Sequence, residues 1–122
     1  MSLKQARHAQ EELNCKRGDI FYCNLGVNEK PMQCGIRPVV IIQNDIGDRR
    51  SSTTIVAPIT TNTGMEALPT RISIQIEDTN CLILLEQLST INKHQLGHRI
   101  GEVDVKHPHI EKALRISVGL TN

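Results

Sequence analysis

Cys34-Gly35-Ile36-Arg37-Pro38-Val39-Val40-Ile41-Ile42-Gln43-Asn44-Asp45-Ile46 is the stretch that organises the rest of the chain. Ile36 and the run from Val39 to Ile42 are β-branched, with Gly35 and Pro38 at their head and Asn44, Asp45 and Gly47 behind them. A continuous apolar run between turn-forming residues reads as a strand buried on both faces, over residues 37–43. Proline cannot donate to a ladder, so Pro38 belongs at the start of that strand. Arg37 then stands at the lip of a rigid element, where a cation can be held for a phosphate, although surface arginines are common.

Upstream, residues 19–25 read as a first strand, joined to the second by a polar loop over 26–35. Downstream, a charged turn over 47–52 leads to a largely buried third strand at 54–60. Thr70, Ile72, Ile74 and Ile76 alternate with Arg71, Ser73 and Gln75, the pattern of a strand with one wet face. A turn over 77–80 returns into a strand at 81–85, making a hairpin. Short strands with brief connections imply a small antiparallel barrel or rolled sheet. Asn92 is placed to cap a helical turn over 93–96, and residues 99–102 read as a brief last strand. Pro108 suits a helix start; Ile110, Ala113, Leu114 and Val118 follow at helical spacing, and Gly119 marks the stop. Residues 1–15 read as an extension, helical or disordered, ahead of a domain over 16–122.

The 122 residues suffice for one core. With one Tyr, one Phe and no Trp, that core must be aliphatic, and base stacking cannot be a main mode of nucleic-acid binding. A net charge of +1 gives no general attraction to polyanions, so any such site needs local clusters such as Lys16/Arg17, Arg37 and Arg49/Arg50. Cys15, Cys23, Cys34 and Cys81 lack paired zinc spacing and follow no secretory signal, so they read as thiols of a reducing cytoplasm, Cys23 and Cys81 as small apolar residues. His94 and His98, four apart, lack an evident third ligand and read as a solvated pair; His107 and His109 read as surface residues. No metal site, cofactor or membrane span is expected.

Five further motifs lie outward of this strand: K-R-G-D-I-F-Y (Lys16 to Tyr22), T-I-V-A-P-I-T (Thr54 to Thr60), L-P-T (Leu68 to Thr70), L-L-E-Q-L-S-T-I (Leu84 to Ile91) and A-L-R-I-S-V-G-L (Ala113 to Leu120). In order and spacing, with G-I-R-P-V-V-I-I-Q-N-D (Gly35 to Asp45), they resemble the MazF/PemK (Kid) family of bacterial toxins. The resemblance implies a mainly β fold, an SH3-like antiparallel barrel with short helices and a C-terminal helix (CcdB/PemK-like), assembled as a homodimer. It implies a metal- and ribosome-independent endoribonuclease that cuts single-stranded RNA in a preferred sequence, leaving 2′,3′-cyclic phosphate and 5′-hydroxyl ends. It also implies a cognate antitoxin protein as partner. A non-catalytic protein of the same fold, binding an antitoxin or poisoning a protein target such as gyrase, is the alternative.

Such cleavage needs a 2′-hydroxyl aligned on its phosphorus, proton transfer at both oxygens, and positive charge for the phosphorane. By the resemblance Arg37 and Thr60 are catalytic, Arg37 as a phosphate-stabilising or proton-donating fork and Thr60 as a hydroxyl that bonds phosphate or ribose. Gln33, Asn44, Glu86 and Gln87 match positions that contact RNA, the Glu86-Gln87 pair reading base edges. From the residues alone, Asn44 is equally a turn stabiliser and Glu86 and Gln87 a solvated strand end. Met32 stands where many relatives have an acidic loop residue, with Glu29 nearby; Cys34 replaces a glycine, and the hairpin turn at 78–80 is short.

Overall fold

The computed structural model describes residues 15–27, 33–45, 51–61, 64 and 68–120. Residues 1–14, Glu29, Met32, Arg49 and Arg50, which figure in the expectations above, lie outside them. The strands are β1 (Asp19–Asn24), β2 (Ile36–Ile41), β3 (Thr53–Thr60), β4 (Arg71–Ile76), β5 (Thr79–Leu84), β6 (Ser89–Asn92) and β7 (Leu96–Glu102), followed by helix α1 (Pro108–Ser117). They form one seven-stranded sheet in the order β4-β5-β3-β2-β1-β7, with β6 on β3. Each pairing is antiparallel, and the sheet curls into a half-barrel.

The sheet buries one core on each face. Ile20, Val40, Ala57, Ile59, Ile83 and Leu85 face α1, whose Ile110 and Ala113 close that side. Phe21, Cys23, Val39, Ile41, Val56 and Ile91 fill the other, with Cys15 and Leu96. Side chains alternate across a strand, so β2 feeds both cores: Val39, Val40 and Ile41 are each fully buried. Each contributes on the order of 1.5–3 kcal/mol by leaving water. The burial expected for this run stops short at its head, where Ile36 is 71% exposed. Cys15, expected in the extension, is also a buried core residue.

The K-R-G-D motif acts as a clasp. Gly18 donates its N–H to the Ile41 carbonyl at 2.8 Å, and the Arg17 N–H bonds the Asp45 carboxylate at 2.9 Å, tying the two ends of the β1–β2 unit together. Gly18 takes φ +95, and a Cβ there would run into the Val103 carbonyl oxygen, so no other residue fits. The β4–β5 turn has only two residues, Glu77 and Asp78, at φ 48 and 66, the left-handed geometry that matches strand twist. Asn92 and Gln95 form a capping box around the 3-10 turn Lys93–Gln95, much as expected. The last strand starts earlier than expected, at Leu96, and β6 was not foreseen. In α1 the His107 ring accepts from the His109 N–H at 3.2 Å as N-cap. Val118, expected on the buried face, lies past the helix end and is 56% exposed.

One irregularity shapes the surface. Thr60 pairs with Leu82 and Val56 with Ser89, so four steps along β3 match seven along its neighbour. The three surplus residues are ejected from the ladder as the 3-10 turn Leu85–Gln87. Thus β5 and β6 act as one interrupted strand along the same edge of β3, and the interruption carries Glu86 and Gln87.

Candidate active site

Arg37 pairs across the sheet with Cys23, whose side chain is buried in the second core. Cross-strand partners share a face, so Arg37 continues the row of Ile41 and Val39 out into solvent. The ladder of β2 with β3 ends at Val39 and Pro58, and Pro58 brings no N–H with which to extend it. Two more steps in the same register would set Arg37 opposite Thr60. Instead the strands part, and β3 gives its last residues, Ile59 and Thr60, to β5. The fold therefore brings Arg37, exposed, and Thr60, a residue only 7% exposed, to one end and one face of adjacent strands.

Arg37 is braced from behind. Its Nε–H donates to the Cys34 carbonyl at 3.1 Å, leaving the two terminal nitrogens as a fork of donors suited to a phosphate. The segment carrying Cys34 is held in turn. The Gln33 N–H donates to the Gln87 side-chain oxygen at 3.1 Å, and Leu25 and Gly35 close the neck of the loop through an N–H to carbonyl bond of 2.9 Å. Gln33 and Gln87, expected separately as RNA contacts, thus touch each other.

Glu86 is engaged within the protein. Its Oε2 accepts from Arg71 Nε at 2.9 Å and Nη2 at 2.7 Å, while its Oε1 accepts from the Thr70 hydroxyl at 3.1 Å. Burial pushes the carboxyl up, but bonds from Arg71, its own backbone and Thr70, with the Arg71 charge, more than offset this and leave it below the ordinary carboxylate value. Glu86, expected either to read base edges or to be a solvated strand end, is held in an ion pair on an exposed turn. The signal was present in L-P-T-R, but a helical turn within a strand leaves no trace in apolar periodicity.

Asn44 is exposed beyond the far end of β2, separated from Arg37 by more than the roughly 13 Å that four strand residues span. The chain does not bring it to the Arg37 end. Nor do His94 and His98 share a helix: His94 is in the 3-10 turn and His98 in β7, its ring edge-on to Tyr22 at 6.1 Å. Among the described residues there is no cluster of three or more metal-ligating side chains, and no helix long and apolar enough to cross a membrane.

The fold places the chain among small proteins built on one curled antiparallel β-sheet with a C-terminal helix. Residues 16–118 match the family model for the PemK-like, MazF-like toxin of type II toxin–antitoxin systems. Endoribonuclease EndoA of Bacillus subtilis (strain 168) is 40% identical over 110 residues, spanning 86% of this chain and 95% of the relative. Among solved structures, a mycobacterial endoribonuclease in complex with its cognate antitoxin aligns at TM-score 0.67 with 25% identity, covering 88% of this chain and 96% of the other. MazF from Deinococcus radiodurans shares the fold at TM-score 0.72 with 12% identity, covering 86% and 96%. The chain belongs to the PemK-like, MazF-like toxin family.

Proposed function

We propose that this protein is the endoribonuclease toxin of a toxin–antitoxin pair, cutting single-stranded RNA without a metal ion, with Arg37 and Thr60 as its catalytic residues. What chiefly supports the reading is the braced Arg37 guanidinium, carried with Thr60 just past the last β2–β3 pair at the end where the two strands part. Bound RNA would lay its scissile phosphate on the Arg37 fork, where charge on the phosphorane oxygens is met by donors already in place. Thr60 would hold the ribose or phosphate and relay the proton leaving the attacking 2′-hydroxyl toward the 5′-oxygen, which departs as a hydroxyl as the P–O5′ bond breaks. The products are a 2′,3′-cyclic phosphate and a 5′-hydroxyl, because the nucleophile belongs to the substrate. Gln33 and Gln87 would border the base next to the cut, and Asn44 would meet the strand farther along. The protein acts in the cytoplasm as a homodimer and is silenced by a cognate antitoxin, as befits an enzyme whose substrate is cellular mRNA.

The test is incubation of purified protein with a long single-stranded transcript in EDTA, followed by mapping of both product ends. Cuts within a recurring short sequence, carrying cyclic phosphate and 5′-hydroxyl ends, are expected. An intact transcript, or cleavage that EDTA abolishes, would overturn the reading.

A further inference from the structure

The turn that carries Gln87 is held by residues at the head of the β4–β5 hairpin. Leu85–Gln87 is expelled from the edge of β3 and takes no part in its ladder. Below, it is anchored by the fully buried Leu85 side chain, packed with Ile110 and Ala113, and by the Leu85 N–H on the Thr70 carbonyl at 3.1 Å. Its outer half has polar anchors. Arg71, at the head of edge strand β4, places two donors on one Glu86 oxygen, and Thr70 places its hydroxyl on the other.

From there the bonding runs without a gap to the front of the site: Glu86 adjoins Gln87, Gln87 holds the Gln33 N–H, Gln33 adjoins Cys34, and the Cys34 carbonyl holds Arg37 Nε. We propose that Arg71 is a positioning residue for RNA cleavage, acting through Glu86 to hold the 85–87 turn and hence the segment that aims Arg37. The proposal rests on the nuclease reading for its kinetic consequences, not for its structural ones. Glu86 accordingly serves as the strut between Arg71 and the site, and base selection falls to Gln87 and Gln33.

The geometry separates this role from that of a surface ion pair, which is ordinarily worth little. The Arg71 and Glu86 side chains are only 15% and 25% exposed, and each carboxylate oxygen already accepts a bond from a side chain. Lysine cannot reproduce this hold, since it carries its charge on a single nitrogen and lacks the planar pair of donors.

The experiment compares wild type, Arg71→Ala, Arg71→Lys, Glu86→Gln and the Arg71→Ala/Glu86→Gln double variant by amide exchange, single-site cleavage kinetics and cleavage-site mapping. In Arg71→Ala the Gln33 amide should exchange faster while β1 and β3 amides keep their protection. Loss of aim should lower kcat about tenfold with KM within about twofold, since small misplacements of a reacting group are costly in rate. Arg71→Lys should fall between, and adding Arg71→Ala to Glu86→Gln should cost little more. Unchanged Gln33 exchange in Arg71→Ala would overturn the proposal. So would full additivity in the double variant, or an altered cleavage sequence at wild-type kcat, which would make Glu86 a base reader. A wild type that leaves RNA intact would sink the nuclease reading instead, and Gln33 exchange would then decide the positioning role alone.

Discussion

Replacing Arg37 by lysine separates charge from geometry at the proposed scissile phosphate. A guanidinium has five N–H donors. Here the Nε–H is committed to the Cys34 carbonyl at 3.1 Å, which fixes the plane and leaves the terminal nitrogens to make paired bonds. Lysine keeps the charge but loses both the brace and one bond of the pair. A hydrogen bond to a charged group is worth about 1.5–3 kcal/mol, and each 1.4 kcal/mol is a factor of ten. Arg37→Lys should therefore slow the chemical step by roughly 10- to 100-fold. Alanine, which also removes the charge, should cost ~10²–10³-fold, the usual loss for one preorganised charge-stabilising group. Neither should unfold the protein, because Arg37 is exposed and surface changes usually fall within about 0.5 kcal/mol. Single-turnover cleavage of a fluorophore- and quencher-labelled single-stranded RNA, with thermal melts in parallel, measures both quantities. A lysine variant within threefold of wild type would show that bare charge suffices and that the brace is irrelevant.

Thr60→Val keeps the shape of a nearly buried residue while removing its hydroxyl, so cleavage should drop at least ~10-fold in protein shown by circular dichroism to be folded; full activity would remove Thr60 from the mechanism. Of the cysteines only Cys34 is exposed, and burial pushes the Cys23 thiol up to about 11, so iodoacetamide should modify native protein at Cys34 first; early labelling of Cys23 by peptide mapping would contradict the packing. The Glu86 carboxyl lies below its ordinary value in the folded state, so its stabilising contribution is fully present above the free carboxyl value of about 4.3 and is lost as pH falls through the depressed folded value. The stability advantage of wild type over Glu86→Gln in urea should thus hold at neutral pH and vanish in acid; an advantage independent of pH would mean that the ion pair is energetically silent.

The sheet could be read from sequence because its strands obey simple rules. Val39 to Ile42 carried the burial signal, Ile72, Ile74 and Ile76 the alternation, and Pro108 with Gly119 the helix limits, Gly119 sitting at φ +79. What escaped depended on pairing between distant segments. Ser89–Asn92 is a strand because Thr53–Val56 lies beside it, not because of its own composition. Ile36 continues an apolar run yet is exposed, since periodicity does not show where a neighbouring strand ends. For the candidate site, Arg37 and Thr60 are legible only by motif resemblance, while their position just past the last β2–β3 pair depends on where that ladder ends. The grip of Arg71 on Glu86 joins residues fifteen apart, a span over which no local sequence pattern reports.

The three-residue slip between β5 and β6 has a consequence for how far a local change can spread. An unbroken ladder couples each residue to its register, so an insertion or a change of shape there disturbs the whole strand. Here the ladders on both sides are secured separately, by Ile59 and Thr60 against β5 and by Thr53 to Val56 against β6. Glu86 and Gln87 occupy the slack between two independent moorings. A substitution at Glu86 or Gln87 is thereby confined to the excursion, since neither mooring of β3 draws on those two side chains to keep its register.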